Sequence, residues 1–142
     1  MAAHGLEPGR VLVFQAAPGR ADILERLRLA DIYLDSFPFS GATSLLDPLE
    51  LALPMVIMDG VSFRTLVGPA LLRTIELNQW IAGDADAYVA LATKLAADPA
   101  LRAATRADIT ARMQRRPKFI DAEWYGGQAG AAFEQIWRDH AD

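Results

Sequence analysis

Between Asp31 and Asp47 the chain reads Asp-Ile-Tyr-Leu-Asp-Ser-Phe-Pro-Phe-Ser-Gly-Ala-Thr-Ser-Leu-Leu-Asp, which gathers one glycine, several hydroxyls and three carboxylates. These are residue types that hold a phosphorylated ligand. The apolar run Ile32-Tyr33-Leu34 leads into a turn-rich segment from Asp35 to Gly41, and a helix is expected to open at or near Thr43-Ser44. Unpaired backbone N–H groups at such a start, together with two hydroxyls, make an anion site suited to a diphosphate. Asp47 follows Thr43 by one turn on the same face, where a carboxylate accepts hydrogen bonds from ribose hydroxyls. The space beyond the C-terminal end of a parallel strand is where open α/β sheets take ligands. A second reading uses the same residues. Asp47-Pro48-Leu49-Glu50 fits a capping box, with Asp47 as N-cap, Pro48 at the first helical position and Glu50 closing it. The helix then starts at Pro48 and Asp47 is structural. Spacing alone leaves both readings open.

Other reactive chemistries find little support. The 142 residues include no cysteine, which removes disulfides, thiolate metal sites and cysteine nucleophiles. His4 and His140 lie near the termini without metal-ligand spacing and read as solvated, so no metal is expected. Ser36 and Ser62 have no histidine in a nucleophile pattern, so a hydrolase triad is unsupported. Arg112, Arg115, Arg116 and Lys118 form a basic cluster at an expected helix end, the usual place for charges that complement the helix dipole. Trp124, Tyr125, Phe133 and Trp137 read as packing residues rather than a sugar-stacking platform. The net charge of −4 argues against nucleic acid as the main partner. No apolar run approaches the roughly 20 residues needed to span a bilayer. The segment Met1 to Leu6 lacks the basic and apolar regions of a secretory signal, so a cytoplasmic location and no membrane association are expected.

The elements that must position these residues alternate in type. Leu12-Val13-Phe14, Ile32-Tyr33-Leu34 and Pro54-Met55-Val56-Ile57-Met58 are short apolar runs bounded by turn residues, as expected of buried strands. A helix is expected from Ala21 to Leu29, with Ile23, Leu24 and Leu27 on one face, and another from Thr43 to Leu53. Phe63 to Ile75 is helical with a kink or break near Gly68-Pro69. Leu77 to Ala82 supplies a short last strand or a turn. Asp84 caps one helix, and Asp98-Pro99 opens another. Phe119 to Trp137 is helix-prone, with an irregular middle at Gly126, Gly127 and Gly130. Alternation of this kind predicts an α/β domain with a parallel sheet over about 10–82 and a helical portion over about 84–140.

The stretch from Ala30 to Pro54 resembles the SPINDLY/O-GlcNAc transferase family of glycosyltransferases, to which adhesin N-glucosyltransferases are related. The resemblance is carried by Leu34-Asp35-Ser36-Phe37-Pro38, Gly41-Ala42-Thr43-Ser44, Asp47 and Pro54. Downstream it continues through Gly60, Phe63, Val67-Gly68, Leu71-Leu72, Ile81-Ala82, Tyr88-Val89, Leu95-Ala96, Phe119, Asp121 and Phe133-Glu134 with Trp137. It implies a partial Rossmann-like parallel sheet, the C-terminal half of a two-domain GT-B fold, ending in a helical portion. It further implies a UDP-sugar donor, with UDP-N-acetylglucosamine foremost, and a protein acceptor at Ser/Thr or Asn. No cofactor is implied.

By position, the resemblance puts Thr43 and Ser44 on the diphosphate after the Gly41 turn, Asp47 on the ribose, and the segment Pro18 to Arg26 near the uracil, with Arg20 the best-placed side chain. Three family residues are replaced here: a histidine before the two hydroxyls by Ala42, a histidine of the base-reading helix by Ile23, and an arginine before Val67 by Leu66. These departures bear on donor identity. The family's catalytic and tetratricopeptide-repeat regions, its general base and a Gln/Lys pair have no counterpart, so the chain is expected to be inactive alone. The competing reading is a non-catalytic α/β binding or assembly module derived from such an enzyme. In a sheet of order 3-2-1-4-5-6, Leu12-Phe14 becomes the third strand and Ile32-Leu34 the fourth, with the strands between them missing. Direct pairing of the two, or completion by a second copy in a homodimer, are the alternatives.

Overall fold

In the computed structural model, residues 5 and 7–140 are described; His4 and most of the segment Met1 to Leu6 lie outside the described residues. Three parallel strands form the sheet in the order β1-β2-β3: β1 (Tyr33–Leu34), β2 (Met55–Met58) and β3 (Ile81–Ala82). Tyr33 pairs with Met55 and Leu34 with Val56, while Ile57 pairs with Ile81 and Met58 with Ala82. A 3₁₀ turn (Thr43–Leu45) and helix α2 (Leu46–Glu50) carry the chain from β1 to β2, and helix α3 (Phe63–Thr74) carries it from β2 to β3. Helix α1 (Arg20–Leu27) precedes the sheet; α4 (Ala85–Ala97), α5 (Pro99–Met113) and α6 (Ala122–His140) follow it. The architecture is the α/β class with a partial parallel sheet and a helical C-terminal portion.

The core explains the element order. Val56 and Ile57 of the central strand are fully buried, as a parallel strand covered on both faces requires. Leu45, Leu49, Leu72, Leu77, Leu95 and Ile109 pack into the same cluster, so α4 and α5 help to close the sheet. Each such side chain contributes on the order of 1.5–3 kcal/mol by leaving water. The caps match their sequence signals. Asp84 accepts from the Ala87 N–H at 2.8 Å, and Asp98 accepts from the Leu101 N–H at 2.9 Å with Pro99 next in line. Past the C-cap Leu51 of α2, Ala52 takes a φ of 51°, the left-handed geometry that closes a helix, and the Leu53 N–H reaches back to the Pro48 carbonyl at 2.8 Å.

Several expectations need correction. Leu12-Val13-Phe14 is not a strand: it pairs with no described strand, and Leu12 and Val13 are 78% and 85% exposed. The segment is held from the side instead, by Arg26, which donates to the Gln15 carbonyl and lies 5.2 Å from the Phe14 ring centroid. An apolar triplet encodes strand propensity but not an edge to pair with. The third strand of the expected order, and its direct pairing with β1, are therefore absent among the described residues. The helix expected over Thr43 to Leu53 is a 3₁₀ turn followed by only five α-helical residues. Neither α3 nor α6 breaks. Pro69 removes a single donor, the one that would reach Thr65, and the helix continues through it. α6 passes through its three glycines, supported by Asp121 accepting from the Trp124 N–H at 3.0 Å and by a Glu134–Arg138 pair one turn apart. Tyr125, Phe133 and Trp137 are exposed rather than packed, because no described element covers their face.

Candidate functional site

Asp35 follows β1 directly and continues its register through an N–H bond to the Val56 carbonyl at 3.1 Å. Its carboxylate is buried and faces its own loop. Oδ2 accepts from Ser40 Oγ at 2.6 Å, and Oδ1 accepts from the Gly41 N–H at 3.0 Å. Ser40 is tied to α3 twice: its N–H donates to the Arg64 carbonyl at 2.9 Å, and its Oγ accepts from the Gly68 N–H at 3.2 Å. From the other side, the Tyr88 hydroxyl on α4 donates to the Asp35 carbonyl at 2.7 Å. The loop that delivers Gly41 is thus fixed by three elements. At Gly41 a Cβ would stand 2.7 Å from Ser44 Oγ and 2.9 Å from Leu45 Cγ, so the turn needs glycine there.

Thr43 and Ser44 open the 3₁₀ turn with exposed side chains, and among the described residues neither hydroxyl has a hydrogen-bond partner. Asp47 lies within α2 rather than at its N-cap, which overturns the capping-box reading: the helix begins at Leu46, before Pro48. The carboxylate of Asp47 turns toward α1 instead. Arg20 Nε donates to Asp47 Oδ1 at 2.8 Å, and Arg20 Nη2 donates to Glu50 Oε2 at 2.5 Å. The guanidinium pKa is raised by its hydrogen bond to Glu50 and then by that to Asp47, so Arg20 stays charged. Beside this cluster, a cavity of about 420 Å³ is floored by Leu46, Leu49 and Met113.

Of the sequence-derived site residues the structure joins Arg20 to Asp47 through a hydrogen bond, while Gly41, Thr43 and Ser44 lie in the turn that leads into α2 and make no hydrogen bond to that pair among the described residues. The replacements Ile23 and Ala42 are exposed, as is Leu66. Within the basic cluster, Arg112 donates to the Ile75 carbonyl and Glu76, Lys118 stands 5.1 Å from the Trp124 ring, and Arg115 and Arg116 are exposed. Among the described residues no group of acidic or histidine side chains could hold a metal ion, and no helix is long and apolar enough to cross a membrane.

The sequence did not single out Tyr33 and Tyr88 as part of this neighbourhood. Both phenols are held above their ordinary pKa of 10.0, first by burial and then by the Asp35 charge, with Asp47 adding to the effect on Tyr33 and Tyr33 to that on Tyr88. A raised acid pKa favours the protonated native state. That contribution is therefore complete below pH 10 and is lost as pH rises through the raised values. Alkaline titration followed by phenolate absorbance is expected to show a late component that Tyr33→Phe and Tyr88→Phe each reduce. A titration unchanged by either substitution would contradict the burial assigned to them.

Comparison with known proteins decides the family. The sequence profile of Glycosyl transferase family 41 matches residues 1–127. The chain belongs to this family. Family 41 relatives include a protein of Petunia hybrida described as a probable UDP-N-acetylglucosamine–peptide N-acetylglucosaminyltransferase SPINDLY, 31% identical over 97% of this chain. A SPINDLY protein of Oryza sativa subsp. japonica, described in the same words, is 32% identical over 100% of the chain. The family 41 chain spans about 15% of the length of these two relatives. Among solved structures, a mutant O-GlcNAc transferase of Thermobaculum terrenum superposes with a TM-score of 0.86 at 23% identity, over 97% of this chain and 26% of its own. That likeness establishes the fold, part of a GT-B architecture.

Proposed function

We propose that this family 41 chain forms the donor-binding part of a protein glycosyltransferase. The donor is a UDP-sugar, with UDP-N-acetylglucosamine foremost and a UDP-hexose next, and the acceptor is a protein Ser/Thr or Asn. The observation that carries the reading is convergence. Arg20 and Asp47 are 27 positions apart yet in contact, and the turn that leads from β1 into the helix of Asp47 carries two hydroxyls without partners among the described residues. In this reading Gly41 shapes the turn, Thr43 and Ser44 hold the diphosphate, Asp47 accepts from the ribose and Arg20 borders the base. Stabilising a departing pyrophosphate needs more positive charge than these residues supply. Catalysis therefore requires groups from the family's catalytic region, with its tetratricopeptide repeats as a further partner.

Calorimetric titration with UDP tests the reading. The chain is expected to bind, and Asp47→Ala is expected to weaken the affinity about tenfold, as loss of a charged hydrogen bond does. Affinity should also fall as salt rises, because exposed charge contacts are screened beyond about 10 Å at 0.1 M. No binding at all would favour a non-catalytic assembly module instead.

A further inference from the structure

Glu50 has no place in the donor-binding reading, yet it makes the shorter of the two Arg20 contacts, at 2.5 Å against 2.8 Å for Asp47. It follows Asp47 by three residues, so both carboxylates rise from one side of α2. Together they grip one edge of the guanidinium, through Nε and Nη2. Two atoms remain without partners among the described residues: Arg20 Nη1, with its N–H donors, and Asp47 Oδ2, an acceptor. The first suits a phosphate or a base carbonyl. The second suits a ribose hydroxyl.

We propose that Glu50 is a positioning residue for nucleotide binding: it fixes the plane of Arg20 so that Nη1 faces the ligand and Asp47 keeps one oxygen free. The inference rests on the donor-binding reading. Arg20 is 58% exposed, and one bond through Nε would leave its guanidinium free to turn about that contact. Two carboxylates three residues apart define an orientation that a single one does not. A flexible arginine must lose that freedom when the ligand binds, whereas an arginine already held has lost it beforehand.

This role reverses the sign expected from charge alone. UDP is an anion, so removing a nearby carboxylate should tighten binding by simple Coulomb attraction. Positioning requires the opposite. Glu50→Ala is expected to weaken UDP binding about fivefold, the range of a well-oriented exposed ion pair. Glu50→Gln keeps an acceptor oxygen without the charge and should recover most of the affinity, to within about twofold of the parent. In an Arg20→Ala background, Glu50→Ala should change nothing, because no guanidinium remains to orient. Glu50 is 56% exposed, and unchanged thermal melting of each variant confirms that folding is intact. Tighter binding in both Glu50 variants, or an equal effect with and without Arg20, overturns the proposal. Failure of the unsubstituted chain to bind UDP removes the donor-binding reading itself and this inference with it.

Discussion

Asp35→Ala is expected to lower the stability of the chain by about 3 kcal/mol, the cost of losing charged hydrogen bonds and leaving buried partners unsatisfied. Asp35 is 6% exposed, and its two oxygens hold the Ser40 hydroxyl and the Gly41 N–H. Removing the carboxylate orphans the Gly41 N–H and leaves the Ser40 hydroxyl only the Gly41 carbonyl, at 3.2 Å, in a place water reaches poorly. Desolvation of the native carboxylate works in the other direction and reduces the net cost, but the paired geometry limits that gain. Asp35→Asn keeps one acceptor oxygen, so it should cost about half as much. Urea denaturation provides the measurement, with the midpoint shifted and the slope unchanged. Faster amide exchange is expected across 36–45, since these residues lose their anchor before the core opens. A midpoint shift worth less than about 0.5 kcal/mol would mean the loop is held by other contacts.

Asp35 also shows how far the sequence could be read. Its position after an apolar run marked the end of a strand, and continuous apolar runs bounded by turn residues located β1 and β2 closely. Asp84 and Asp98-Pro99 announced their helices because a cap is a local device, complete within four residues. Leu12-Phe14 has the same apolar signal but no strand beside it, and pairing is a property of the partner as well as of the segment. The glycines of α6 suggested irregularity because each costs about 1 kcal/mol relative to alanine; caps and ion pairs along the helix offset part of this. Site residues behave likewise. Thr43, Ser44 and Asp47 follow from local spacing and family resemblance together. The Tyr88–Asp35 bond spans 53 positions, the Arg20–Asp47 pair 27, and no periodicity encodes either. Glu50 was visible only as part of a capping box that the fold does not use.

Gly68→Val is expected to cost about 3 kcal/mol, at the upper end of the range for overpacking a close-fitted interior. Gly68 lies in the middle of α3, where propensity alone says that a side chain should help, by about 1 kcal/mol for alanine. Its surroundings say otherwise. A Cβ on Gly68 would overlap Ser40 Oγ and come within 3.0 Å of Ile57 Cγ2 and 3.1 Å of Leu45 Cδ1. Ser40 cannot turn aside cheaply, because its hydroxyl is held by Asp35 and accepts from the Gly68 N–H itself. The absent side chain is what lets the α3 backbone approach the loop closely enough for that bond. Gly68→Ala should therefore destabilise by about 1–2 kcal/mol despite its better propensity, with valine worse. Gly126→Ala in α6 supplies the contrast: nothing lies within 4 Å of its Cβ position, so propensity acts alone and the midpoint should rise. Because Gly68 and Asp35 act through the same hydroxyl, the double variant Gly68→Ala/Asp35→Ala should lose less than the sum of the single losses. Thermal or urea melting of the parent and these variants decides it. A Gly68→Ala midpoint that rises as Gly126→Ala does would show that α3 and the loop are not in the close contact that sets the Gly41 turn.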